Sequence, residues 1–431
     1  MKIPYDMQKA LLVLGLPKLR KHQVDPIKDI LAGRDTFVIA PTGSGKSAIF
    51  QVPALLRADG WTLVIEPTIA LMLDQVHRLQ QRGILAYHLA SDNKGERGDL
   101  LDRVSAGQIQ FLYTTPEQLR TEFLQMVLDE YPPWLVVVDE AHCITEWGGI
   151  SFRPAYGQIG MWLEGIEPRP TVAAFTATAP MSYRQEIVDV LKMQKVHYHI
   201  LSLARNNLKL IVSDCTGMTL PKKLKRVKRE ISRYLGDGSA VIYCSTRSHV
   251  DQVYNHLKSD SALKGMVAKY HSGMTEKQRK SAELRFLNGK RRIIVATSAF
   301  SMGIDKGDIR LVLHYNLPFS PVDYYQQIGR AGRDGNAAHG VLLFDERDIV
   351  VNEKLLLGKN RERELKQLPW YSKEQYEGEV QRSVDRFYDL VKILKSPDCL
   401  MQQVLAYLGE EKPRSCRHCS HCQRMRREGW A

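Results

Sequence analysis

The segment APTGSGKS (40–47) follows an apolar run, DTFVIA (35–40), and opens an apolar helical stretch. Strand, glycine-rich loop and helix in that order make a phosphate cradle. Gly43 and Gly45 allow the tight turn that aims backbone amides at phosphate oxygens, with Thr42 and Ser44 in the same loop. Lys46 is placed to reach the terminal phosphates and Ser47 to ligate Mg2+, so ATP with Mg2+ is the expected fuel. VVVDEAH (136–142) adds a strand ending in two acids. Asp139 would hold the metal, and Glu140 would orient or deprotonate an attacking water. Two acids after a strand also describe a helix N-cap; downstream of a phosphate loop they complete a nucleoside triphosphatase. His142 is read as a relay toward TAT (176–178).

Two further groups could do chemistry. In QQIGRAGRDG (326–335), Gln326, Arg330 and Arg333 lie among glycines that permit close approach. Arginines that steady a transferring phosphoryl group need that setting. Near the end, Cys399-x16-Cys416-x2-Cys419-x2-Cys422 offers four thiolates for a closed tetrahedral Zn2+ site. His418 and His421 are competing ligands. Cys143, Cys215 and Cys244 read as small buried residues.

The elements that must position these groups form two series. WTLVIEP (61–67), IQFLYTTP (109–116), WLVVVDE (134–140) and TVAAFTATA (171–179) follow the first strand, with helical stretches between. SAVIYCS (239–245), GMVAKYHS (265–272), RRIIVATS (291–298), IRLVLHYN (309–316) and HGVLLFD (339–345) form the second series. Nearly continuous apolar strands alternating with helices predict α/β units with parallel sheets covered on both faces. Residues 201–225 read as a linker. Beyond about residue 346 the strands stop and a charged helical region leads to the cysteines.

The ordered motifs resemble those of superfamily 2 helicases, over nearly the whole chain. The resemblance implies two tandem RecA-like domains, 1–205 and 206–345, followed by a helical zinc-binding domain, 346–431. Gln23 in LRKHQ matches the upstream glutamine that reads adenine. EPTIALMLDQV (66–76) and YTTPEQL (113–119) match segments that grip the nucleic-acid backbone, placing Thr68 and Thr115 on the strand. Thr246 and Arg247 are expected to join them. IVATSAFSMGIDKGDIRLVLHYNLP (294–318) would put Thr297 on the strand and Gly303 and Asp305 near ATP. The aromatic-rich loop in DEAHCITEWGGISFRPAY (139–156) and the cysteine spacing narrow the likeness to RecQ helicases. Trp147, Phe152 and Arg153 would then stack on or contact a base. The loop departs from the usual Trp-Gly-His-Asp-Phe-Arg by lacking the His and Asp and gaining one residue.

Lysine and arginine exceed the acids by 13, with pI near 9.3, which suits a polyanion partner. Two basic clusters, Lys222 to Arg229 and Arg414 to Arg427, corroborate this, although each taken alone equally describes a solvated helix face or tail. Neither a signal peptide nor a membrane-crossing run is read, so a cytoplasmic protein is expected, nucleoid-associated if bacterial. The resemblance implies 3′-to-5′ movement on single-stranded DNA and unwinding of tailed or forked duplexes. The chain stops nine residues after Cys422, which leaves no room for winged-helix or further helical DNA-binding domains. A protein partner supplying duplex binding is therefore expected, and an ATP-switched DNA clamp is the alternative to a motor. DEAH, the aromatic-rich loop and the cysteines argue against a DEAD-box RNA helicase.

Overall fold

The computed structural model describes residues 6–57, 60–91, 95, 97–147, 153–300, 306–358 and 372–428. They divide into two compact units, Met1–Leu203 and Ala204–Ala431. No helix among them is long and apolar enough to cross a membrane.

The first unit holds a seven-stranded sheet in the order β3-β4-β2-β5-β6-β1-β7, parallel throughout. Its strands are β1 (Thr36–Ile39), β2 (Thr62–Ile65), β3 (Ala86–Leu89), β4 (Phe111–Thr114), β5 (Leu135–Val138), β6 (Thr171–Thr176) and β7 (His197–Ile200). Every residue of β1, β2, β4, β5 and β6 is buried. Helices cover both faces of a central strand, so no position can be polar for solvent's sake. Asp35 closes the N-terminal end of the sheet. It accepts from Val172 N (2.9 Å) and Gln194 N (2.6 Å) and takes a two-pronged ion pair from Arg169.

The second unit holds a six-stranded parallel sheet, β10-β11-β9-β12-β13-β8. Its strands are β8 (Leu208–Asp214), β9 (Ser239–Tyr243), β10 (Val267–Tyr270), β11 (Ile293–Ala296), β12 (Ile309–His314) and β13 (Ala338–Phe344). Part of the expected linker is thus strand. LKLIVSD (208–214) pairs with β13 along its whole length, and LPKKLKRVKREISRY is the helix that returns to β9. The helices Glu346–Leu357, Lys373–Lys395, Leu400–Tyr407 and Ser420–Arg427 belong to this same unit. The last of them caps the open edge of β8, where Val212 N donates to Ser420 Oγ (3.1 Å). An unpaired edge is thereby satisfied instead of left to solvent.

Candidate nucleotide and metal sites

In parallel sheets, ligands gather where strand C-termini meet helix N-termini. Three neighbouring strands of the first sheet end there with the expected motifs: β1 in the glycine-rich loop, β5 in Asp139-Glu140, β6 in Thr176. Gly45 caps the helix Lys46–Leu56 at φ 86°, in the left-handed region that favours glycine. A Cβ there would also lie 2.7 Å from Gln23 Nε2. The loop is held from behind by the residues preceding and opening the helix Lys21–Leu31. Arg20 donates to Gly43 O (3.0 Å), a His22 ring nitrogen meets Ser44 O (3.1 Å), and Gln23 Nε2 donates to Gly45 O (2.9 Å). Gln23 is 3% exposed, and its Oε1 accepts from Arg20 N. In this structure the glutamine fastens the loop, and both ends of its amide are engaged.

Lys46 Nζ rests on Ala40 O at 3.2 Å. Thr42 and Ser47 are half-buried in the same loop, and Ser44 is buried. Asp139 is 8% exposed; burial, then the neighbouring Glu140 charge, pushes its carboxyl up to about 6. Glu140 has φ 48°, a strained value for a side-chain-bearing residue. Backbone strain of this kind clusters at functional sites. His142, 5% exposed, places Nδ1 3.0 Å from Thr176 Oγ1 and 3.3 Å from Glu140 Oε2. Thr176 Oγ1 donates its single proton to Thr178 O (3.0 Å), so toward His142 it can only accept. The ring is therefore protonated at Nδ1, and burial holds its pKa below the ordinary value. The geometry links the acid pair to TAT through one neutral imidazole.

A further carboxylate escaped the sequence reading. Glu66, directly after β2, is 0% exposed. Burial first, then the Asp139 and Glu140 charges, raise its pKa well above the carboxylate range, with Lys46 opposing. Its Oε1 accepts from Gln75 Nε2 (3.0 Å) on the helix Ile69–Gln80, and Gln75 in turn meets Gln51 (3.5 Å) on the phosphate-loop helix. A buried acid facing two others is best held neutral. Glu66→Gln should accordingly leave Mg2+-dependent hydrolysis within a few-fold of the parent. A fall beyond about tenfold would mean the site uses an ionised Glu66.

The expected strand contacts in this unit occupy adjacent strand ends. Thr68 caps the helix Ile69–Gln80, accepting from Leu71 N at 3.3 Å. Thr115 is buried ahead of the 3-10 turn Pro116–Arg120. Arg153 ties the two loops together by a two-pronged pair with Glu117 (2.7 and 2.5 Å) and a bond to Pro67 O. Its guanidinium lies over Tyr156 at 5.3 Å, so in this structure Arg153 braces the loops. The Trp147 side chain, Phe152, Gly303 and Asp305 lie outside the described residues.

In the second unit, Thr246 and Thr297 follow the neighbouring strands β9 and β11. Thr246 caps the helix Arg247–Lys258, and exposed Arg247 donates to Ser272 Oγ (3.1 Å). Gln326, Arg330 and Arg333 are half-buried around the end of the helix Pro321–Ile328. The loop carrying the arginines is fixed by residues read as linker. Arg205 donates to Ala331 O (3.0 Å) and Gly332 O (2.8 Å), and Asn207 to Gly332 O (2.8 Å) and Asn336 O (2.9 Å). Gly332 sits at φ 61°, with Asn207 Nδ2 2.6 Å from where a Cβ would be.

His314, at the end of β12, meets Gln327 Oε1 at 2.8 Å on the same helix. Burial pushes its pKa down to about 4 from 6.5, with the Gln327 bond opposing. The unfolded chain therefore takes up a proton near pH 6.5 that the folded one refuses until about pH 4. Stability from this site is full above pH 6.5 and is lost as pH falls toward 4. Between pH 7.5 and 5 the loss should be about 2 kcal/mol. Urea unfolding of the parent and of His314→Gln at those pH values checks this; equal pH dependence in both would contradict it.

The four motif cysteines bring their sulfurs within 4.8 Å of one another. Cys399–Cys416 and Cys419–Cys422 are 3.4 Å apart, and Cys416–Cys422 and Cys399–Cys419 are 4.0 Å apart. Tetrahedral zinc with bonds of about 2.3 Å needs edges near ~3.8 Å, so the donor set fits. Backbone amides of Cys416, Cys419 and Cys422 point at the Cys399, Cys416 and Cys419 sulfurs (3.2, 3.3 and 3.4 Å), the polarity thiolates require. The histidines are engaged elsewhere: His418 with Cys416 O (2.5 Å) and Leu208 O (3.2 Å), His421 with Asp398 O (3.0 Å). Cys143, Cys215 and Cys244 are buried singly.

Comparison with known proteins agrees with this layout. Family models for a DEAD/DEAH box helicase, a helicase conserved C-terminal domain and a RecQ zinc-binding region match residues 20–187, 222–335 and 347–423. The chain is 35% identical to the ATP-dependent DNA helicase RecQ of Bacillus subtilis over 413 residues, covering 95% of this chain and 65% of that protein. It is also 35% identical to the Pasteurella multocida RecQ, covering 95% of this chain and 61% of that protein. The probable ATP-dependent DNA helicase RecS of Bacillus subtilis is 34% identical, covering 79% of this chain and 67% of that protein. The chain thus spans less than two thirds of the two RecQ relatives. Among solved structures, the DEAD-box helicase Mss116 bound to ssRNA and UDP-BeF shares the fold, with a TM-score of 0.66 at 18% identity over 95% of this chain and 89% of that one. With a phosphate loop, an acid pair and a four-sulfur cluster in their matching places, the chain belongs to the RecQ family of superfamily 2 helicases.

Proposed function

We propose that this chain is an ATP-dependent DNA helicase that translocates 3′ to 5′ on single-stranded DNA. The carrying observation is the convergence of the glycine-rich loop, the strained Glu140 and the His142–Thr176 link on three adjacent strand ends. Ser47 and Asp139 are the residues that would hold Mg2+, which supplies charge neutralisation at the phosphates. A buried Asp139 whose carboxyl is pushed up to about 6 is a group that gains from a cation. Lys46 binds the terminal phosphates, Glu140 orients water, and Gln326, Arg330 and Arg333 are assigned to the transferring phosphoryl group with Gly303 and Asp305. Gln23 supports the loop and is assigned to adenine. His142 passes the state of the acid pair to the TAT segment and so to the strand.

Thr68, Thr115, Thr246, Arg247 and Thr297, with Trp147, Phe152 and Arg153, are assigned to the DNA strand. Hydroxyls and cations grip a backbone without reading sequence. Cys399, Cys416, Cys419 and Cys422 are assigned to Zn2+. Domain limits of 1–205, 206–345 and 346–431 accompany this reading. ATPase assays with single-stranded DNA and RNA, and strand displacement on 3′-tailed, 5′-tailed and forked duplexes, test it. DNA-stimulated hydrolysis with displacement of 3′-tailed substrates is expected. Stimulation without displacement on any substrate would leave an ATP-switched clamp that needs a partner protein for separation.

A further inference from the structure

The helix Leu220–Tyr234 carries the whole of the basic cluster Lys222 to Arg229, which no motif absorbs. Its inner side is ordinary: Leu224, Val227 and Ile231 are buried, and Lys223 pairs in the interior with Asp345 (3.3 Å) and Asp348 (3.4 Å). Two other cations are also matched, Arg226 with Glu230 (2.5 Å) and Lys228 with Asp260. The outer side differs. Lys222, Lys225, Arg229 and Arg233 are exposed at intervals of three, four and four residues. That spacing puts them on one face of the helix, in a row of about 16 Å with steps of roughly 5–6 Å. Among the described residues no carboxylate pairs with Lys222, Lys225 or Arg229, and Arg233 lies over the Tyr234 ring at 5.2 Å. The helix's single acid, Glu230, is buried.

This arrangement costs stability without local return. Like charges three or four residues apart disfavour a helix by a few tenths of a kcal/mol per pair. Cations in the first turn oppose the helix dipole, and that turn holds no acid. A face that needed only solubility would interleave both signs. A local rule broken without compensation points to a ligand.

Topology says where that ligand runs. The helix joins β8 to β9 within one parallel sheet, so it must travel from the strands' C-terminal end back to their N-terminal end. Its first cation, Lys222, therefore starts at the end of the sheet that carries Thr246 and Thr297, and Arg233 ends at the opposite one. We infer that this row binds the phosphate backbone of duplex DNA continuous with the strand held at Thr246 and Thr297. This rests on the DNA-helicase reading and extends it. A straight, rigid row of cations suits the fixed phosphate array of a duplex better than a flexible single strand.

The test uses the full chain and the variant Lys222→Gln/Lys225→Gln/Arg229→Gln. All three positions are exposed, so folding should be kept, which circular dichroism and thermal melting verify. Binding to a blunt duplex and to a short single strand is measured from 50 to 300 mM salt without nucleotide, alongside single-strand-stimulated ATPase. Three lost phosphate contacts should lower the duplex log Kd–log salt slope by about 3. Duplex affinity at low salt should fall by at least tenfold, with ATPase kcat and single-strand affinity unchanged. An unaltered duplex slope, or a loss confined to the single strand, overturns the proposal. A parent chain whose ATPase ignores DNA would instead defeat the helicase reading, while the duplex slopes still report on this row.

Discussion

Lys46→Ala should abolish measurable ATP hydrolysis, a loss of at least about 10²-fold of the kind seen when one preorganised charge is removed from a phosphate or oxyanion site. The expectation follows from what the lysine touches. Its ammonium sits on Ala40 O at 3.2 Å, inside the same loop that Arg20, His22 and Gln23 hold through three further carbonyls. It is also the cation that opposes the upward push on the Glu66 and Asp139 carboxyls. Removing it has two consequences. The phosphates lose a charge partner, and Asp139 loses the neighbour that favours its ionised form, so Mg2+ affinity should drop as well. Lys46→Arg keeps the charge but not the compact head, and should recover little turnover. Near-normal hydrolysis by Lys46→Ala, measured as phosphate release with saturating single-stranded DNA, would show that ATP is handled elsewhere.

The sequence exposed some of this machinery and hid the rest, for identifiable reasons. The glycine-rich loop, Asp139-Glu140 and the cysteine spacing were readable because each is contiguous, and the chemistry fixes which residues must be neighbours. The central strands were readable because burial on both faces leaves continuous apolar runs such as LVVV in β5. Three of the four edge strands escaped, whereas β10 was read within GMVAKYHS (265–272). HYHI in β7 is largely exposed, AYHL in β3 is only half apolar, and β8, with alternating exposure, resembled a linker. Glu66 escaped because its meaning comes from Asp139 and Lys46, far along the chain, and not from adjacent residues. Arg205 and Asn207 escaped likewise, since the loop they fasten lies more than 120 positions on. Arg153 was singled out by the likeness of its loop to the RecQ aromatic-rich segment, yet its pairing with Glu117 and Pro67 needed coordinates.

Cys419→Ser should reduce bound zinc far below one per chain and destabilise the second unit as a whole. Four sulfurs within 4.8 Å of one another cannot all be thiolates without a cation. The neighbouring thiols drive the pKa of Cys399 down and that of Cys416 up. Structural zinc sites gain about 10–16 kcal/mol from metal in isolated peptides, and that gain is folding free energy. Even a fraction of it rivals the roughly 5–15 kcal/mol that holds a domain together. The damage should spread beyond the cysteines, because the same turn fastens the sheet. Ser420 Oγ accepts from Val212 N, and His418 meets Leu208 O, both on edge strand β8. β8 is paired in turn to β13, and Arg205 and Asn207, just before it, hold the arginine-bearing loop. Zinc loss should therefore speed amide exchange at Val212 and slow ATP turnover, while the thermal transition of Met1–Leu203 stays in place. Stoichiometric zinc in Cys419→Ser would show that the ligand set is wrong. Zinc loss with unchanged exchange at Val212 would show that the metal supports only its own turn.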